Sequence, residues 1–237
     1  MHWDAPTPDG SLPPNATLES EELLQRFTRR VIHNVSNPLA AILGCSQLLE
    51  RLLQRRADGD LEQCQAYVTM IQSEAQRCSR MMDGLVLLAR PPLPQPTTVN
   101  VHDVITGAIR AFECPEAVRI ALEPGATAPV VRADPDHLDK VLRQLFQNAV
   151  EAMPQGGAIT VRTASDAEWL RLVVEDTGPG IPTELLPRVL EPFFSTRQGH
   201  NGVGLPVCAR LIASQGGTLQ VTSPPGGGVC VLLELPR

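Results

Sequence analysis

Between residues 61 and 89 the side chains Cys64, Val68, Ile71, Ala75, Cys78, Met82 and Leu85 follow one another at alternating steps of four and three. That spacing holds them on one stripe of an α-helix and is the repeat of a coiled-coil seam. A strand, whose faces alternate every second residue, has no use for it. Upstream, Leu24, Phe27, Val31, Val35, Ile42, Leu49 and Leu52 recur at steps of three, four or seven. The sequence RRADGD, 55–60, interrupts the pattern, so two long helices joined by a short turn form a hairpin. A lone hairpin covers only one side of each helix. Two copies pairing into a four-helix bundle would cover the rest, and a homodimer is expected.

RPPLPQPTTVN, 90–100, ends the helical region, because its four prolines lack amide donors and bias their neighbours toward extended backbone. It reads as a linker. Beyond it, AVRIAL, AITVRT, WLRLVVE, GTLQV and VCVLLEL have strand character, while DPDHLDKVLRQLFQNAVEAM and GLPVCARLIASQ carry helical spacing. The expected fold is an α-helical hairpin dimerising into a four-helix bundle, followed by an α+β two-layer sandwich with its helices on one face. The divisions are a flexible segment at 1–19, the hairpin at 20–90, the linker at 91–100 and the sandwich at 101–237. GGGV, 226–229, reads as a hairpin turn.

The net charge of −6 and the absence of a basic cluster argue against nucleic acid as a partner. Lys140 is the only lysine, so no GxxxxGK[ST] phosphate loop exists. Six cysteines stand singly, without metal or disulfide spacing, as reduced thiols do. The polar, proline-rich first twenty residues hold no signal-like run, and no segment reaches the ~18 apolar residues of a membrane span. The expected location is the cytoplasm.

His33 lies two residues from both Val31 and Val35, about 200° around the helix from that stripe, and so faces solvent. Pro38, five residues later, removes one helix hydrogen bond and crowds the carbonyl of Asn34. A turn loosened in this way can bend, so that two different partners reach one imidazole. The blander reading of such a histidine is an idle surface residue beside a tolerated kink.

The segment His33-Asn34-Val35-Ser36-Asn37-Pro38-Leu39 resembles the phosphoacceptor helix of sensor histidine kinases. QLFQNAVEAM, DTGPGIP, EPFFSTR and GVGLPVC, in that order, resemble the ATP-binding domain that this family shares with gyrase-type topoisomerases and Hsp90-type chaperones. The resemblance covers about 20–236. It implies autophosphorylation of His33 from ATP, then transfer to an aspartate on the receiver domain of a response regulator docked at Phe27–Arg30 and the facing part of the second helix. It makes Asn148 the ligand of a Mg²⁺ ion, with Gln144 one turn earlier on the same face. It makes Asp176 the acceptor for the adenine amine, with Gly178 and Gly180 letting the backbone approach the base. Gly202, Gly204 and Leu205 open a helix whose free amides suit phosphate. EPFFSTRQGHN has the make-up of a lid, whose Arg197 and His200 are expected mostly as solvated charges.

Two positions depart from the family. It typically carries Glu or Asp where this chain has Asn34, and an amide accepts a hydrogen bond but takes no proton at neutral pH. It usually has asparagine at the position of Gln144. Asn37 matches the family's position for orienting water during dephosphorylation of the regulator. An ATP-binding pseudokinase or a regulator phosphatase is therefore the second reading. The third, an ATP-driven clamp, lacks the glutamate expected at 144 and leaves the hairpin unexplained. About nineteen residues ahead of the hairpin hold no sensory domain, so the signal is expected from a separate sensor protein, from the N-terminal segment itself or from residues outside this sequence.

Overall fold

The computed structural model describes the backbone of 14–55, 61–197 and 200–237, and side chains from residue 28 onward within those ranges except 30 and 55. Residues 1–13, most of the turn read at 55–60, and the side chains of Leu24, Phe27 and Arg30 lie outside the described residues. The chain divides into two compact units, 1–81 and 82–237.

The first unit is built from helix α1, Pro14–Arg55, and most of helix α2, Leu61–Ala89. Helix α1 begins inside the segment read as leading and runs unbroken through Pro38, which is buried. On α2 the expected stripe divides in two. Cys64, Ile71, Cys78 and Leu85 are half-buried, while Val68, Ala75 and Met82, on the other flank of the seam, are exposed. The two helices touch where Cys45 Sγ, buried on α1, lies 3.2 Å from Met70 Sδ. Exposed Ile32, Leu39, Leu43 and Leu53 form the matching stripe on α1.

The second unit is a sandwich of three helices on a five-stranded mixed sheet. Its elements after the linker are β1 (Thr97–Asn100), α3 (Val101–Ala111), β2 (Val118–Pro124), β3 (Val130–Ala133) and α4 (Pro135–Ala152). Then follow β4 (Gly157–Ser165), β5 (Trp169–Asp176), α5 (Gly204–Ala213), β6 (Thr218–Thr222) and β7 (Cys230–Pro236). The sheet order is β2-β4-β5-β7-β6; only the β2–β4 pair is parallel, and β1 and β3 form a separate antiparallel ribbon. Register aligns Leu122, Val161, Val174, Val231 and Val221 in one row across the sheet. That row, with Ile159, Leu172 and Leu233, faces the helices, and Phe146 of α4 is fully buried against it in the same core.

Every strand and helix expected in this unit is present; β1, α3, β3 and a short 3-10 helix at Leu186–Arg188 are not in that expectation. Thr97–Asn100 of the presumed linker pairs with Val130–Ala133, and Asn100 caps α3, its side chain accepting from His102 N. The linker is tied down at its other end as well, where Gln95 N donates to Asp134 Oδ2 at 2.7 Å.

Candidate active site

His33 is exposed on α1, as its angular position requires. Its hydrogen-bond neighbour is one turn on, with Asn37 Nδ2 3.4 Å from Nδ1. Side chains at i and i+4 share a helix face, whereas i and i+1 diverge. Half-buried Asn34 accordingly makes no hydrogen bond to the imidazole.

The second constellation gathers on α4, at the end of β5 and at the start of α5. On α4, Gln144 Nε2 donates to Asn148 Oδ1 at 2.9 Å. Gln144 thus reaches the Asn148 oxygen instead of standing beside it as a second oxygen donor. Gly204 opens α5 against this pair, since a Cβ there would lie 2.7 Å from Gln144 Nε2. No side chain caps the first amides of α5, so its N-terminus presents backbone donors and the positive end of its dipole, with Leu205 in the first turn.

Asp176 ends β5. Its Oδ1 accepts from Gly178 N at 2.8 Å and Val229 N at 3.3 Å, which leaves Oδ2 as the free acceptor. Burial raises its carboxyl above the ordinary value; the two backbone donors and the charge of Arg197 oppose that shift without cancelling it. Gly178 is required because a Cβ would sit 2.9 Å from that same Oδ1. Gly180 has φ +78° and crosses close to Ser223, whose Oγ would be 2.6 Å from a Cβ. Gly202, φ +61°, serves packing: a Cβ would collide with the Phe194 carbonyl, and its own carbonyl accepts from Phe193 N at 2.8 Å.

The lid departs from the expectation of solvated charges. Arg197 Nη1 donates to the Asn148 carbonyl at 2.9 Å, and His200 Nδ1 lies 3.2 Å from Glu151 Oε2. Both fasten the segment to α4. At its root, Arg188 stacks over the Phe194 ring, 4.2 Å from the centroid. Arg197 and His200 each lie 49 positions from their α4 partners in sequence, and no local pattern announces those pairs. The β6–β7 turn was likewise legible only as a turn, although three consecutive glycines exceed what a two-residue hairpin needs.

The phosphoacceptor hairpin and the nucleotide-type sandwich together define a two-domain phosphotransfer class. Residues 23–93 match the His kinase A phospho-acceptor domain, and 133–237 match the histidine kinase-, DNA gyrase B- and HSP90-like ATPase. The chain belongs to the sensor histidine kinase family. It is 32% identical over 228 residues to the sensor histidine kinase ZraS of Klebsiella oxytoca, covering 93% of this chain and 48% of that protein. It is 32% identical over 214 residues to the sensory histidine kinase/phosphatase NtrB of Escherichia coli O157:H7, covering 84% and 59%. The chain thus spans about half the length of these relatives. Among solved structures, the histidine kinase ThkA in complex with the response regulator TrrA superposes with a TM-score of 0.76 at 26% identity, over 92% of this chain and 63% of that one. No helix among the described residues is long and apolar enough to cross a membrane.

Proposed function

We propose that this protein is a two-component histidine kinase that phosphorylates His33 from ATP and passes the phosphoryl group to an aspartate of a response regulator. The observation that carries this reading is one chain holding an exposed helical imidazole with a side-chain partner at Nδ1 and an ATP-type sandwich with Asp176 held by two backbone donors. In the reaction, His33 Nε2 attacks the γ-phosphorus in line, the bond to the β,γ-bridging oxygen breaks, and ADP leaves. The attack needs a lone pair on Nε2. Asn37 Nδ2 is the atom nearest Nδ1, and its donation there puts the ring proton on Nε2 and blocks attack; turning the amide over lets Oδ1 accept from Nδ1–H and leaves Nε2 its lone pair. With its amide turned over, Asn37 would do the orienting that the resemblance assigns to an acid at position 34.

On the nucleotide side, Asp176 Oδ2 takes the adenine amine, and the α5 N-terminus at Gly204 and Leu205 takes phosphate. Asn148 fits a Mg²⁺ that draws most of its ligands from the triphosphate. It offers one neutral oxygen, and no group of three or more His, Cys, Asp or Glu among the described residues forms an all-protein cage. The ion would neutralise triphosphate charge; Gln144 would orient the Asn148 amide toward it, a role its hydrogen bond to Oδ1 supports. A homodimer formed through the exposed stripes, a cytoplasmic setting, a receiver domain docked near Phe27–Arg30 and a separate sensor protein belong to the same reading. The ThkA–TrrA complex supports a receiver domain as partner. The divisions at 1–19, 20–90, 91–100 and 101–237 remain part of the proposal, with α1 beginning at Pro14 and Thr97–Asn100 paired to Val130–Ala133. Acid-labile, alkali-stable label on the purified protein after Mg-ATP, absent from His33→Gln, tests the reading.

A second reading, a regulator phosphatase with slow self-labelling, is favoured by Asn34, which cannot accept a proton, and by Asn37, whose amide suits water. The relatives named kinase/phosphatase make both activities in one chain reasonable. Dephosphorylation of a phosphorylated receiver domain by the unlabelled protein, lost in Asn37→Ala, distinguishes it.

A further inference from the structure

Beyond the nucleotide-site residues already discussed, the tip of the β6–β7 hairpin grips the Asp176 loop through contacts that a simple chain reversal does not need. Gly226, Gly227 and Gly228 all have positive φ, at +117°, +104° and +80°. Gly228 N donates to the Gly178 carbonyl at 2.6 Å, and a Cβ at Gly228 would collide with the Asp176 carbonyl. A Cβ at Gly227 would lie 2.9 Å from Gly178 O. Gly227 and Gly228 therefore bring one backbone against another along the DTGPG turn, while Gly226 has open space around it. Asp176 N and the Val229 carbonyl, 3.0 Å apart, extend the grip, and Val229 N supplies one of the two donors that fix Oδ1.

Ser223 locks this arrangement from the side. Its Oγ accepts from Ile181 N at 2.9 Å and donates to the Gly228 carbonyl at 2.7 Å. One hydroxyl therefore joins the far end of the DTGPGI segment to the last residue of the glycine tip. Val229 follows Gly228 directly, so the position of the Ser223 bridge sets where the Val229 amide points, and that amide, together with Gly178 N, sets which Asp176 oxygen is left free.

We propose that Ser223 is a positioning residue for purine recognition: the Ser223–Gly228–Val229 hairpin tip holds Asp176 Oδ2 as the acceptor that selects a 6-amino purine over a 6-oxo purine. The proposal rests on Asp176 being the base-recognition carboxylate. Ser223 touches no ligand itself and acts through the Val229 amide. Loss of its two hydrogen bonds loosens one of the two donors on Oδ1, Gly178 N remaining, and the looser carboxylate weakens a directional contact far more than phosphate or stacking contacts.

The test measures equilibrium binding of Mg-ADP and Mg-IDP to the full chain, with thermal unfolding recorded alongside. The native protein is expected to prefer ADP by at least about tenfold, as a site built around a hydrogen-bonded amine does. Ser223→Ala is expected to weaken ADP by about tenfold with IDP unchanged, so that the preference collapses, and Ser223→Thr, which keeps the hydroxyl, is expected to restore it. Should the alanine variant not fold, Ser223→Cys keeps the volume while offering only a weak donor and acceptor. Equal weakening of both nucleotides, or an intact preference, overturns the positioning role while leaving Asp176 in place. A native protein that binds both equally, or an Asp176→Asn variant that keeps the preference, instead overturns the base-recognition reading beneath the proposal.

Discussion

At the scale of single residues, the account turns on how much chemistry one amide or carboxylate supplies. Asp176 carries a charge in a half-buried place, and burial lifts its carboxyl above the ordinary value. An acid raised on folding is a penalty that is absent below the unfolded-state value and fully present above the folded one. Asp176→Asn is therefore expected to leave the melting temperature at neutral pH unchanged or higher while weakening ATP by about 10- to 100-fold, the worth of a hydrogen bond to a charged group. By the same sign, ATP affinity of the native protein should fall on acidification, beginning above the pH at which a free aspartate protonates; binding titrations from neutral pH downward would show it. Asn34→Glu tests the missing base. A carboxylate there should raise the labelling rate of His33 by about 10²-fold, and an unchanged rate would show that Asn37 already suffices. Asp176, Asn148 and His33 were legible because each sits in a compact local pattern. Ser223, Arg197 and Glu151 were not, because their roles exist only after strands and loops distant in sequence are brought together.

At the scale of elements, hydrophobic periodicity located both long helices and the five strands of the main sheet, since burial on one face is what writes a period into a sequence. It missed α3, although Asn100 as a cap and apolar Val101, Val104, Ile105 and Ala108 at helical spacing offered a signal. The prolines just upstream drew Thr97–Asn100 into a linker. The ribbon β1–β3 pairs two four-residue strands thirty positions apart, too short to show a period of their own. Asp134 joins these pieces. It caps α4 by accepting from Asp136 N and His137 N, and its other oxygen holds Gln95 of the linker. Burial alone would raise its carboxyl, but the Gln95 and His137 amides, the neighbouring His137 and the Asp136 amide together bring it below the ordinary value. Its stabilising contribution is thus complete above the unfolded-state aspartate range and is lost as pH falls through the lowered value. Asp134→Ala should cost about 1–2 kcal/mol at neutral pH, and chemical denaturation curves of the two proteins should converge in strong acid. For α1, Pro38→Ala replaces a missing amide and is expected to stiffen the His33 turn, slowing phosphoryl transfer without lowering the melting temperature. Labelling and regulator dephosphorylation that both run at native rates would show that the proline has no bearing on the site.

At the scale of the whole molecule, the hairpin leaves apolar side chains on both helices in water. Leu39 is 52% exposed, Val68 41% and Met82 53%, in stripes that keep the seven-residue spacing of the seam. The proposed partner is a second copy of the hairpin, whose surface repeats the same spacing. Val68→Glu is expected to convert the dimer to monomer in sedimentation analysis while leaving ATP binding by the sandwich intact; a native protein that sediments as a monomer would refute the dimer. Phosphoryl transfer itself is the property that needs both units. The most direct measurement incubates the native chain and His33→Gln with γ-labelled ATP and Mg²⁺, then follows acid-labile, alkali-stable label over time. The account predicts label on the native protein and none on the variant, with Mg-ATP bound equally by both. Native protein that binds Mg-ATP yet acquires no label, or label that persists in His33→Gln, would contradict it.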